Sequence, residues 1–286
     1  MEIREAFQGE RVQIQVENAV AGNAAILVTI PILDYVAADK DGTVPETQIP
    51  SGPGLTSYSR WNVNLPRKGS ALAYPPNLSD KYVYQDELVH WVENTAFPME
   101  TRSQPIFYAL DNEPALWADT HSRNHPNPAT YAEIVSKSIA FGSMIKDHAP
   151  NSMVFGPVTY GWLAMVNLQV APDSSDRDFI NFYLSSLQSA HNTTGKRLVD
   201  VLDIHWYPEA KADGTRISRL MSRGLTPAQI EGIVQAPRSY WDENYQEDSW
   251  ISEYVSGGYN GRNKIALIPR LKDQIAEYYP GTRIAI

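Results

Sequence analysis

The chain has 286 residues, 43% hydrophobic and 20% charged, enough for one large α/β domain or two ordinary ones. Its 24 Lys and Arg against 33 Asp and Glu leave a net charge of −9, which argues against a polyanionic partner such as nucleic acid. Cysteine is absent and no apolar run reaches membrane length, so disulfides, thiolate metal sites, cysteine nucleophiles and a spanning helix are excluded.

From Met1 to Glu17 there is no charged-apolar-small leader pattern. The amphipathic spacing predicts a helix there with Ile3, Phe7 and Ile14 inward. Next comes Ala24–Ile30, an uninterrupted apolar run predicted as a parallel strand buried on both faces. A helix over Asp80–Asn94, capped by Asp80, precedes a second such strand, Pro105–Leu110. Thr130 caps a helix to His148, stopped by Ala149-Pro150-Asn151. Strand Met153–Gly156, helix Asp176–Ser189, strand Val199–Ile204, helix Leu267–Tyr279 and strand Thr282–Ile286 complete the series. Alternating strands and helices imply right-handed βαβ units around a parallel sheet.

Long inserts follow the strands, at 33–79, 114–127, 159–172 and 207–247, and they are rich in Pro, Gly, Trp and Tyr. Elaborated loops at the carboxyl ends of parallel strands mark the active-site face of an α/β fold. With no repeat and no linker, residues 1–286 are expected to form one domain. Five strands do not close an eight-stranded barrel, the first helix has no strand before it and the last strand has no helix after it. Truncation at both ends is the expectation.

The sharpest local feature is Tyr108-Ala109-Leu110-Asp111-Asn112-Glu113-Pro114-Ala115-Leu116-Trp117. A buried strand delivers Asn-Glu-Pro to the active-site face, where a glycosidase needs a carboxyl held against the glycosidic oxygen. The neighbouring amide of Asn112 can bond a sugar 2-hydroxyl, and Pro114 turns the chain off the strand. Aromatic content fits a sugar ligand, with 7 Trp, 16 Tyr and 7 Phe, many beside Gly, Pro, Asn or His. The structural alternative for Glu113 is a strand-end glutamate paired with a cation from the next strand.

Tyr108–Trp117 resembles the acid/base segment of glycoside hydrolase family 44, the endo-β-1,4-glucanases and xyloglucanases. The resemblance extends to Asp203-Ile204-His205-Trp206-Tyr207-Pro208-Glu209, to Thr29-Ile30-Pro31-Ile32 with Tyr35–Lys40, and to Pro237–Asp242. It runs from about Ala24 to Ile286, nearly the whole chain. It implies a retaining enzyme on a (β/α)8 TIM barrel accompanied by a β-sandwich, with the acid/base after strand 4 and the nucleophile after strand 7. If Glu113 follows strand 4, the five strands are 3 to 7 of a partial barrel without the sandwich. The nucleophile glutamate is then expected just beyond Ile286.

Ile251-Ser252-Glu253-Tyr254 superficially resembles the nucleophile segment, but Glu253 precedes the last predicted helix and strand and is not taken as the nucleophile. His205, Trp206 and Tyr207, at the end of a strand, can bond hydroxyls, orient a carboxylate or stack on sugars, or else pack at the barrel rim. Trp61, Trp117, Tyr160 and Trp162 lie on the long loops, where they either pack into the core or serve as candidate subsite platforms. Asp39-Lys40-Asp41-Gly42 has the look of a calcium loop without an EF-hand's downstream Glu and is read as a solvated turn. His121 and His125 lack an identifiable third metal ligand.

The implied reaction needs no organic or redox cofactor, while the resemblance admits structural calcium. The expected partner is a β-linked polysaccharide, with neither nucleic acid nor membrane involved. Such a polymer is met outside the cell, so a secreted parent is expected. The rival expectation is a non-catalytic carbohydrate-binding fragment.

Overall fold

The computed structural model describes residues 9–39, 42–45, 60–220 and 223–286. In chain order these form α1 (Glu10–Ala21), β1 (Ile26–Ile30), β2 (Tyr35–Ala37), β3 (Trp61–Leu65), β4 (Tyr82–Tyr84), α2 (Gln85–Trp91), β5 (Ile106–Leu110) and α3 (Trp117–Thr120). They continue with α4 (Tyr131–His148), β6 (Val154–Tyr160), α5 (Gly161–Asn167), α6 (Phe179–Thr194), β7 (Val201–His205), β8 (Lys211–Ala212) and β9 (Thr215–Arg216). Last come α7 (Pro227–Gln235), α8 (Trp250–Val255), α9 (Leu267–Tyr278) and β10 (Arg283–Ala285). The chain groups into two compact units, Met1–His205 with Ala285–Ile286, and Trp206–Ile284.

The first unit is built on the strands β1, β5, β6 and β7, which lie side by side in that order. Pairing is parallel from β1 through β7, with Ile26 opposite Ile106 and Phe155 opposite Val201. β5 is apolar throughout because both its faces are covered, and Ile106, Tyr108, Ala109 and Leu110 are buried. β1 departs from the expectation. It alternates, with Val28 and Ile30 buried and Leu27 44% exposed, as a strand paired along one side only can. Helices α4 and α6 pack together, and the Tyr183 hydroxyl donates to Ser138 Oγ at 3.0 Å in the core between them.

Several predicted boundaries move. The N-terminal helix extends to Ala21 and buries Val16, whereas Ile14 is 39% exposed; Ile3 and Phe7 lie outside the described residues. The expected cap at Asp80 fails. Asp80 instead accepts the Tyr82 amide at 3.1 Å, and Tyr82–Tyr84 is a strand before the helix begins. Helix α6 is capped by Asp178, whose side chain accepts from the Asn181 amide. Thr130 caps α4 as predicted, accepting the Glu133 amide at 3.1 Å.

The insert after β1 contains a small sheet in the order β2-β3-β4. Buried Asn64 on β3 ties this sheet to the end of β1, donating from Nδ2 to the carbonyls of Pro31 and Leu33, both at 2.8 Å. The second unit carries the β8–β9 hairpin and helices α7, α8 and α9. Buried Arg270 on α9 donates to the carbonyls of Tyr259, Lys264 and Ile265, satisfying an otherwise irregular loop.

Candidate active site

Ile30, Leu110, Tyr160 and His205 end β1, β5, β6 and β7, so in this parallel sheet they lie on one face, the usual place for ligands in α/β folds. The Asp111 amide extends the β1–β5 ladder one step, donating to the Ile30 carbonyl at 2.9 Å. Then the chain twists. Asp111 at φ 63 and Glu113 at φ 49 both adopt left-handed backbone, which costs on the order of 1–3 kcal/mol per non-glycine residue and clusters at functional sites. The Asp111 carboxylate braces this turn by accepting the Ile32 amide at 2.7 Å and the Asn112 amide at 2.8 Å. Across the sheet, the Glu113 amide donates to the Val158 carbonyl at 2.9 Å.

So placed, Glu113 Oε1 meets His205 Nδ1 at 2.7 Å, the two side chains being 14% and 33% exposed. With the proton assigned to Nδ1, the imidazole donates to this carboxyl oxygen and fixes its position. Asp203 lies two residues before His205 and therefore on the same face of β7. It is buried, and burial pushes its carboxyl above the ordinary aspartate range, with the charge of His205 pulling the other way.

Beyond the ends of β1 and β5 is a cleft of about 410 Å3, whose lining includes Pro31, Leu33, Tyr35, Trp61, Asp111 and Arg123. Aromatic and apolar lining residues with a few charged groups among them are a common composition for a small-molecule or sugar site.

Of the residues singled out from sequence, Glu113 and His205 are brought into contact, and Asn112 is exposed beside them. Trp61 lines the cleft although only 9% of it is exposed. Tyr160 is half-buried at the end of β6. Two platform expectations are corrected. Trp117 is fully buried with its ring edge-on to His125 at 5.1 Å, and Trp162 is 4% exposed, so neither offers a face to a sugar. Trp206 and Tyr207 open the second unit, where Trp206 packs edge-on against Tyr240 at 6.1 Å and Tyr207 is 46% exposed. Glu253 is exposed on α8.

The calcium-like segment is described at Asp39 and Gly42, while Lys40 and Asp41 lie outside the described residues. Asp39 is taken up by Arg60, with Nη2 to Oδ1 at 2.7 Å, an arrangement that does not fit a cation ligand. His125 Nε2 lies 3.0 Å from Glu133. Burial alone would lower the pKa of His125, but the hydrogen bond and charge of Glu133 prevail and raise it. Among the described residues, no group of three or more His, Cys, Asp or Glu could hold a metal ion.

Sequence reasoning missed Asp111, Asp203 and Arg123. Asp111 sat inside the quoted motif, and its place at the end of a buried strand was the available signal. Arg123 had none.

A model of glycoside hydrolase family 44 matches residues 7–210. The chain belongs to glycoside hydrolase family 44. It is 40% identical to endoglucanase A of Paenibacillus lautus over 275 residues, covering 94% of this chain and 37% of that protein. To the β-mannanase/endoglucanase A of Caldicellulosiruptor saccharolyticus it is 35% identical, covering 94% of this chain and 20% of that protein. Among solved structures, a family 44 xyloglucanase of Paenibacillus polymyxa with xyloglucan superposes with a TM-score of 0.85 at 37% identity, over 97% of this chain and 52% of that one. A family 44 endoglucanase from Clostridium thermocellum gives 0.84 at 37%, over 96% and 53%. The α/β fold with a central parallel sheet is thus that of family 44, and the chain spans well under half of these curated relatives and about half of the solved chains.

Proposed function

We propose that this chain carries the acid/base half of a retaining, endo-acting family 44 glycosidase that cleaves β-1,4-glucans such as cellulose and xyloglucan. The observation that carries this reading is the Glu113–His205 pair, 2.7 Å apart across the ends of β5 and β7, beside an aromatic-lined cleft. Relatives named endoglucanase and xyloglucanase support the substrate class.

In the first step the Glu113 carboxyl gives its proton to the glycosidic oxygen while a second carboxylate attacks the anomeric carbon. In the second, Glu113 takes a proton from water, whose oxygen displaces that carboxylate from the sugar. His205 holds Glu113 by donating Nδ1–H to Oε1, the proton for the glycosidic oxygen being carried on the other carboxyl oxygen, and Asn112 faces the sugar 2-hydroxyl. In this reading β1, β5, β6, β7 and β10 are strands 3 to 7 of a (β/α)8 barrel, with the family's β-sandwich not formed by these residues. A nucleophile at the end of strand 7 would follow β10. No organic or redox cofactor takes part, and the polymeric substrate favours action outside the cell.

The test is reducing-sugar release from carboxymethyl cellulose and xyloglucan, by this chain and by the full-length gene product, each with and without Glu113→Gln. Loss in the substituted full-length protein, by about 100-fold or more, is expected. Activity that survives Glu113→Gln overturns the assignment. Binding without turnover by the full-length protein would favour a carbohydrate-binding role instead.

A further inference from the structure

Arg123 is the unexplained group beside the site. It lines the cleft together with Tyr35, Trp61 and Asp111. Its Nε is shielded from solvent without a hydrogen-bond partner, and among the described residues no carboxylate lies within ion-pair distance of its guanidinium. Other arginines of this acidic chain find one: Arg60 meets Asp39, Arg67 meets Asp147, Arg216 meets Glu209 and Arg238 meets Asp242. A shielded donor left unmade costs on the order of 1–3 kcal/mol.

The turn that holds Arg123 is fixed before any ligand arrives. The His125 and Asn124 amides both donate to the His121 carbonyl, at 2.8 and 2.9 Å, and Asn124 Nδ2 donates to the Tyr35 carbonyl at 3.1 Å. The guanidinium is therefore presented on a braced turn that is tied to the backbone of Tyr35. His121, which also lines the cleft, is held by Thr120 Oγ1 against its Nδ1 at 2.8 Å. The cleft's carboxylate, Asp111, is already engaged with two backbone amides, so it is poorly placed to neutralise Arg123.

A planar guanidinium with open donors matches a carboxylate in two parallel hydrogen bonds. We propose that Arg123 receives the carboxylate of a uronic acid branch on a β-linked glycan whose backbone lies along the cleft that Tyr35 and Trp61 help to line. This rests on the glycan-cleaving reading and extends it from neutral chains to acidic, uronate-substituted ones.

The experiment is calorimetric titration of this chain with a glucuronate-branched β-1,4-linked oligosaccharide and with its carboxyl-reduced, neutral counterpart. The wild type is expected to bind the acidic form about 5–10-fold more tightly, with the preference shrinking as salt is added. In Arg123→Gln the preference should vanish while neutral binding stays within about 2-fold, and Arg123→Lys should keep part of it. Equal affinities in the wild type, or a preference that persists in Arg123→Gln, overturn the inference while leaving the glycan reading intact. Failure of the wild type to bind either sugar overturns both. Loss of neutral binding in both variants would make Arg123 a structural residue and likewise overturn the inference.

Discussion

Glu113 on the loop after β5 and His205 at the end of β7 share a hydrogen bond of 2.7 Å although 92 residues separate them. β6 lies between their strands, and it also supplies the Val158 carbonyl that accepts the Glu113 amide. Backbone and side chain of Glu113 are thus held from two different strands, which leaves the carboxyl little freedom to drift from a reacting oxygen.

Removing the His205 contact should therefore cost rate more than binding. In the full-length protein, His205→Ala is expected to lower kcat by about 10–100-fold, the scale of a misplaced catalytic group, with a smaller change in KM. Steady-state kinetics on xyloglucan check it. A rise in KM at unchanged kcat would instead mark His205 as a sugar-binding residue.

Asp111 acts one step further back. Its carboxylate accepts the amides of Ile32 and Asn112, and Ile32 is 1% exposed. Asp111→Ala leaves the buried Ile32 donor unmet and the left-handed turn unbraced, so unfolding in urea should show a loss of about 1–3 kcal/mol. Asp111→Asn keeps one acceptor and should lose less. Equal losses for the two variants would mean that the braced amides contribute nothing.

How much of this was legible in the sequence depends on the kind of signal. β5 and β7 were visible as apolar runs because strands covered on both faces need no polar alternation, and Glu113 and His205 were visible because they end those runs. The β2-β3-β4 sheet was not. Trp61-Asn62-Val63-Asn64-Leu65 does alternate, but Tyr82–Tyr84 was absorbed into a helix by reading Asp80 as a cap, when Asp80 serves a turn. Trp117 and Trp162 follow strand ends as platform residues would, yet sequence does not say which way a ring turns, and both turn into the core. Arg123 became legible only once the want of a carboxylate partner among the described residues could be seen in three dimensions.

The buried pair Glu93–Arg102 gives a large stability effect. Their side chains are 5% and 3% exposed, and the Tyr108 hydroxyl donates to Glu93 Oε1 at 2.7 Å. Burial pushes the Glu93 carboxyl up, outweighing the opposing pull of Tyr108 and Arg102. Arg102→Met strands this carboxylate and should destabilise by about 3–5 kcal/mol, whereas the double variant with Glu93→Gln should recover a substantial part. Urea denaturation of the two singles and the double gives the coupling. Simple additivity would contradict it.

Glu247, in the second unit, predicts a pH dependence with a definite sign. It is 6% exposed, Oε2 accepts the Ser239 hydroxyl at 2.6 Å, and Oε1 is buried with no partner among the described residues. Burial raises its pKa first of all; hydrogen bonds from Ser239 and Ser249 oppose that, and the charges of Glu209 and Asp248 add to it. A carboxyl whose folded pKa exceeds its unfolded one favours folding in its protonated form. Its contribution is complete below the unfolded value and is lost as pH rises through the folded one. Glu247→Gln cannot ionise and escapes that loss. Any fixed packing cost of the amide is the same at every pH, so the informative quantity is the slope. The difference in unfolding free energy between Glu247→Gln and the wild type should move in the variant's favour from about pH 4 to about pH 8. Urea midpoints for both proteins across that range measure it, and a flat or opposite trend would mean that Glu247 is ionised at no cost in the folded protein.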